Sequence, residues 1–319
     1  MTPSYVHQKA KIMKRFSLAA QLTGVVLAAT LAAIGCKKEN SDTLSPQEEM
    51  QAATYTSQSE VDAEIAFDDV YDNVMGVNTE VGLGGVGVFG RIASSPTGRT
   101  ASVDSLPPCT TVTVSPQQTG AFPKTVVLDF GTGCFSHGHL RSGKIRTVYT
   151  GPLREAGNSA TTTFDNFKID SVLVEGTHKI TNTTNLTSGS NQRQFKIELT
   201  NAKLTHPNGD YSEWAATRTQ TQIEGNGTAA PADDILSVQG TAHGRVKHAT
   251  LIVIWNSEIT EPLIKKYTCR WISKGRVKTV REGLPTNTPW VAILDYGAGT
   301  CDNQATLTIN GNTQQITLH

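Results

Sequence analysis

The side chains with the most chemistry in this chain are five cysteines and eight histidines, and their spacing sorts them. Cys36 stands apart, because it closes Ala33-Ile34-Gly35-Cys36, small residues leading into a thiol. A cysteine so placed after an apolar run is a candidate for lipidation at the first residue of a processed chain. The other four, Cys109, Cys134, Cys269 and Cys301, are even in number, as disulfides require. None shows the C-x-x-C spacing of a thiolate zinc site, and three pairings are open to them. His137-Gly138-His139 is the metal candidate, since alternate residues of a strand share a face and both imidazoles could meet one ion. A third ligand would have to come from Asp129, His178, His206, His243 or His248 through folding. Two solvated histidines at a strand edge are the plainer reading.

Other candidates are weaker. Tyr211 and Trp214 follow Asn208-Gly209 and are candidates for glycan contact as a stacking platform, with packing on a neighbouring strand as the alternative. Asp129-Phe130-Gly131 spells a kinase magnesium triplet, but no other kinase element is present. Asp129 and Asp295 are expected to accept turn hydrogen bonds instead. Asp295, Asp302 and Asn303 lack the spacing of a calcium loop. The chain contains no G-x-S-x-G, S-x-x-K or H-E-x-x-H, so no residue is assigned a catalytic role and no cofactor is expected.

The elements that must position these residues begin with an export signal. Lys14 and Arg15 form a basic region, and Leu18 to Ile34 is an apolar stretch of 17 residues interrupted by Gln21 and Thr23. A membrane span wants roughly 20 mostly apolar residues. Residues 1–35 therefore read as a lipoprotein signal peptide, with Met13 as the better start, and Cys36 as the lipidated residue. Residues 36–44 read as a tether. Residues 45–90 read as an acidic helical segment and a Gly-rich connector. Ser45, Pro46 and Glu48 make a helix start. The pattern weakens at Thr54-Tyr55-Thr56, and Ser57 with Glu60 restarts it. Ala63, Ala66, Phe67, Val70 and Val74 then fall on one face. The opposite face, Asp62, Glu64, Asp68, Asp69 and Asp72, reads as solvated. From Glu39 to Glu80 there are eleven acidic residues and no Lys or Arg. The string GLGGVG from Gly82 mimics a dinucleotide fingerprint but follows a helix where that motif needs a strand. It reads as a connector or close-packed turn.

Residues 91–319 change texture, to short alternating runs with Gly and Asn turns. Val126, Leu128 and Phe130 alternate, as do Ile145, Thr147 and Tyr149, and Phe195, Ile197 and Leu199. Phe167, Ile169, Val172 and Val174 form a run ending at Glu175-Gly176, and Leu251 to Trp255 is an apolar strand with Trp255 in the core. The C-terminal Leu307/Ile309 and Ile316/Leu318 pairs form a hairpin whose turn is Asn310-Gly311 or Gly311-Asn312, ending in a buried strand. The fold class is mainly β: an antiparallel β-sandwich or an open curved β-meander, preceded by the acidic amphipathic helix. The 22 basic and 17 acidic residues here are spread out, which is no nucleic-acid footprint.

One element occurs twice. Cys109 is followed by VVLDFGTGC ending at Cys134, and Cys269 by VAILDYGAGTC ending at Cys301. Each reads as a hairpin tied by a local disulfide, Cys109–Cys134 and Cys269–Cys301, each bridge adding roughly 3–4 kcal/mol by chain entropy. This pair, Arg141-Ser142-Gly143-Lys144-Ile145 and the terminal CDNQATLTINGNTQQITL resemble lipoproteins of Bacteroidetes-type bacteria that carry no established activity. The resemblance covers roughly residues 100–319, the lipobox and the acidic N-terminal helix. It implies a cell-envelope location and transfers no catalytic residue. The expectation is a lipid-anchored outer-membrane protein, on its periplasmic or surface face. It would act as a non-enzymatic binding or structural module toward glycan, lipid or another envelope protein. The alternative is a loop-sited hydrolase or metal-dependent enzyme.

Stable anchoring takes more than one acyl chain, which a lipobox cysteine receives. Cys36→Ala is expected to abolish incorporation of a fatty-acid probe. Labelling that persists in the variant would reject the assignment.

Overall fold

The computed structural model describes residues 46–77, 80–82, 106, 109–136, 138–185, 192–226, 233–269, 271–283 and 291–318. One helix, α1 (Pro46–Met75), precedes fourteen strands. In chain order these are β1 (Thr111–Ser115), β2 (Lys124–Asp129), β3 (Cys134–Ser136), β4 (His139–Tyr149), β5 (Ser159–Ile169), β6 (Val172–Asn182) and β7 (Gln194–Thr205). They continue as β8 (Tyr211–Glu224), β9 (Ile235–His248), β10 (Leu251–Lys266), β11 (Ile272–Arg281), β12 (Val291–Ala298), β13 (Gln304–Ile309) and β14 (Asn312–Thr317). All pair antiparallel with their chain neighbours in one sheet, except that β2 joins β4 and the short β3 folds onto β4. The sheet is an open meander and does not close into a barrel. Of the two expected architectures, the curved meander is the observed one. The acidic helix precedes the strands in the chain, as expected, and belongs to one compact unit with them.

The alternation read from sequence places the core. Val126, Leu128, Phe130, Ile145, Tyr149, Phe195, Ile197, Leu199 and Trp255 are all buried. Ala63, Ala66, Phe67, Val70 and Val74 of α1 pack into the same core. Inward positions are not uniformly apolar: Arg141, Thr147, Thr162, His178, Arg218, Gln220, Lys265 and Arg281 are buried too.

Those polar positions meet the acidic residues of α1, which overturns the reading of a solvated acidic face. Arg218 Nε donates to Glu64 Oε1 at 3.0 Å and its Nη2 to Glu60 Oε1 at 3.2 Å. Lys265 donates to Asp68 Oδ1 at 2.6 Å and lies 3.6 Å from Glu64. Arg141 Nε donates to Asp69 at 2.9 Å, and Arg281 pairs with Glu49 at 3.0 Å. Burial raises the Glu60 carboxyl, assisted by Glu64 and opposed by Arg218 and Ser257. Burial would raise Glu64 as well, but Arg218 and Lys265 hold it below its ordinary value. Removing one partner from such a buried cluster costs about 3–5 kcal/mol, because a desolvated charge is left behind. Among residues 47–75 only Gln47 and Gln51 are exposed. Its solvent side is a narrow stripe through Gln47, Gln51, Tyr55, Gln58 and Asp62, and the rest of its pattern sorts apolar from ionic contacts.

The helix is also continuous where an interruption was expected. Thr54 and Thr56 donate to the carbonyls of Met50 and Ala52, four residues back, so their hydroxyls are satisfied within the helix. Ser57 is simply buried within it.

Strand irregularities bend the sheet around this helix. The run Phe167–Val174 is two strands joined at Asp170-Ser171, both at positive φ. Gly176 does not end its strand but bulges it, at φ 114°, between Glu175 and Thr177. A Cβ there would lie 2.6 Å from Ala202 Cα, so only glycine fits. Register shifts on β4, β5, β7, β10 and β11 continue this pattern across the sheet, and bulges increase local bend and twist.

Both expected disulfides are present, Cys109–Cys134 and Cys269–Cys301, with Cα separations of 5.6 and 5.7 Å. The repeated element is real in two further details. Phe130 and Tyr296 are both buried. Asp129 Oδ1 accepts from Gly131 N at 2.9 Å, and Asp295 Oδ1 from Gly297 N at 2.8 Å. The C-terminal hairpin uses Asn310-Gly311 as its turn, pairing Ile309 with Asn312 and Leu307 with Gln314. Leu318 is buried, Ile316 is half-buried, and β14 forms one edge of the sheet.

His178 is 1% exposed, stacks on Phe67 and has no hydrogen-bond partner at either ring nitrogen among the described residues. Burial lowers its pKa from 6.5 to about 3. Between those values the unfolded chain holds a proton that the folded chain excludes, so stability falls as pH falls through this window. One such proton corresponds to about 1.4 kcal/mol per pH unit. His178→Phe is expected to flatten the pH dependence of urea-unfolding stability by that amount between pH 6 and 4. Parallel wild-type and variant plots would refute it.

Candidate functional site

Four residues of α1, Tyr55, Gln58, Ser59 and Asp62, recur at i, i+3, i+4 and i+7 and so share one helical stripe. This stripe borders a cleft of about 210 Å³ at the rim of the sheet, where the β7–β8 and β9–β10 turns approach the helix. Asp210 staples the two turns together. Its Oδ1 accepts from Ala249 N at 2.8 Å, while Oδ2 accepts from Asn208 Nδ2 at 2.9 Å and lies 3.0 Å from His248 Nδ1. The Ala249 N–H, ahead of the other contacts, holds the Asp210 carboxyl below its ordinary value. The His248 ring stacks on Tyr55 with centroids 3.9 Å apart. Helix and turns are thereby joined across the mouth of the cleft.

Ser59 carries the most information here. It is 7% exposed, lines the cleft, and its Oγ has no hydrogen-bond partner among the described residues. A buried hydroxyl left unsatisfied costs about 1–3 kcal/mol. Such a group marks a place where a water, an ion or a ligand can complete the hydrogen bonding. His206, Tyr211 and Lys247 complete the polar lining, and Lys247 donates to Gly209 O at 3.3 Å.

The Asp210–His248 pair has the layout that orients a catalytic imidazole, with Nδ1 held by carboxylate. A triad also needs a hydroxyl bonded to the free ring nitrogen. Ser59 shares the cleft without making that bond.

A larger concavity of about 460 Å³ lies over Lys203, Glu213, His243, Arg245 and Ile254. It is lined by strand and bulge residues alone, and Lys203 and Glu213 are paired within it at 3.5 Å.

The residues singled out from sequence are distributed differently. Cys36 and His137 lie outside the described residues. His139 is engaged through Nδ1 with Asp170 at 2.5 Å, a residue 31 positions away. Among the described residues no group of His, Cys, Asp and Glu could hold a metal ion. Tyr211 and Trp214 do not form one platform, because three residues along a strand reverses the face. Trp214 is 4% exposed and packs on Phe67 and the Arg218 guanidinium. Tyr211 sits outward under the Lys203 ammonium at 4.4 Å, and it lines the rim cleft. Sequence reasoning did not find Tyr55, Ser59 or Asp210, and it named His248 only as a possible third metal ligand. The helical spacing of the first two with Gln58 and Asp62 was the available signal.

No protein-family model matches the chain, and neither a curated protein nor a solved structure is similar to it.

Asp210→Ala removes two contacts that join the two turns, from Ala249 N and His248, and one within the β7–β8 turn, from Asn208. The expected loss is about 1.5–3 kcal/mol, the range for hydrogen bonds to a charged group. Urea unfolding checks it, and an unchanged midpoint would show that the turns hold without the carboxylate.

Proposed function

We propose that this chain is an exported, lipid-anchored outer-membrane protein whose β-domain is a non-enzymatic binding module with its site in the rim cleft. The observation that carries the binding reading is Ser59, a buried hydroxyl without a partner in a cleft lined by converging polar groups. Export is supported by the basic-then-apolar layout ending at Cys36. Two disulfides fit an oxidising compartment. The anchor supplies the membrane as one partner, and glycan, lipid or another envelope protein would be the other. A hydrolase is the second reading, favoured by the Asp210–His248 pair.

Two measurements separate these readings. Density-gradient fractionation is expected to place the chain with the outer membrane. Incubation with p-nitrophenyl acetate and p-nitrophenyl glycosides is expected to give product release no faster than in His248→Ala. A wild-type rate a hundredfold or more above both His248→Ala and Ser59→Ala would replace binding by hydrolysis.

A further inference from the structure

We infer that the rim cleft receives an uncharged polyhydroxyl ligand, a single sugar ring or the terminal residue of a glycan. This rests on the cleft being a binding site and goes on to name what it binds.

The charges of the cleft argue against charged ligands. Asp62 and Asp210 would both face a phosphate or carboxylate, at a site where one ammonium, Lys247, is already directed at Gly209 O and lies over the Tyr211 ring. Asp210 is itself occupied by the Ala249 amide, Asn208 and His248. A metal ion lacks a group of three ligands among the described residues. An apolar ligand would find Val246 as the aliphatic part of a lining otherwise made of polar and aromatic side chains.

What the cleft presents is a mixture of donors and acceptors at close range. Ser59 Oγ can do both, and the Gln58 amide and the Asp62 carboxylate belong to the same lining, while the Asn208 amide is engaged with Asp210. Sugar hydroxyls also donate and accept, so they can meet such a set without leaving a charge uncompensated. Tyr55 and His248, whose rings stack on each other, add aromatic side chains with polar tips to the lining. The volume, about 210 Å³, lies below the roughly 300–1,000 Å³ of drug-sized sites, which limits the occupant to one ring with the remainder projecting outward.

The test uses the full chain in detergent and saturation-transfer NMR. The neutral probes are the methyl glycosides of glucose, galactose, mannose and N-acetylglucosamine. Glucuronate and inorganic phosphate are the charged probes. At least one neutral glycoside is expected to bind, and Ser59→Ala should weaken it about tenfold while leaving the melting temperature of the fold within a few degrees. His139→Asn, remote from the cleft, should leave the affinity unchanged. Absence of binding by every neutral glycoside, or binding that Ser59→Ala and His248→Ala both leave intact, overturns the inference. Binding of phosphate or glucuronate alone, lost in Ser59→Ala, also overturns it but keeps the cleft as a binding site. Loss of all probe binding together with turnover of a p-nitrophenyl substrate would instead end the binding reading itself.

Discussion

Burying Glu60 and Glu64 against Arg218 and Lys265, with Asp68 half-buried beside them, removes four charges from water, at several kcal/mol each. That cost is offset only when β8 and β10 bring their cations onto the same helix face. The requirement explains the rest of the architecture. A flat sheet would touch α1 along one line, whereas Arg141 on β4, Arg218 on β8, Lys265 on β10 and Arg281 on β11 all reach it. Bulges at Gly143, Gly176 and their counterparts on later strands supply the bend. The helix these strands reach is about 45 Å long, by the rise of 1.5 Å per residue.

The strands were legible because their physics is local. Alternation marked Val126-Leu128-Phe130 and Phe195-Ile197-Leu199 as inward, and the twin cysteine elements marked two stapled hairpins. The buried charges were not legible, because Glu64 and Arg218 lie 154 residues apart and Asp68 and Lys265 lie 197 apart. A signal did exist: Arg218 shares inward parity with Trp214 and Ala216, an odd place for a cation unless an anion waits there. An acidic stretch without a single Lys or Arg was the matching half. Reading each half alone led to a solvated face. Gly176 misled for a related reason, since glycine marks both strand ends and bulges, and only its neighbour Ala202 decides between them.

The cleft was legible in part. Its helical side follows from the spacing of Tyr55, Gln58, Ser59 and Asp62, but its other wall is set by two turns that Asp210 joins across 39 residues. Tyr211 lines the cleft, but not beside the residue expected to accompany it. Its presumed partner, Trp214, lies on the other side of the sheet, and Tyr55 comes from the helix. The site thus depends on the same helix–sheet contact as the core, with ion pairs holding the stripe at a fixed height above the turns.

The meander places each strand beside its chain neighbour, so the sheet itself is built from short loops. The helix is the exception. It precedes every strand, yet Thr54 meets Gln314 and Glu49 meets Arg281, contacts that close loops of 260 and 232 residues. Closing long loops costs entropy that only the finished contact returns. During synthesis the acidic segment emerges first and waits longest, with its cations still unmade. Carboxylates in that interval stay hydrated, repel one another and resist premature collapse. The charge that costs most in the folded domain is what keeps its earliest segment soluble until the last strands arrive.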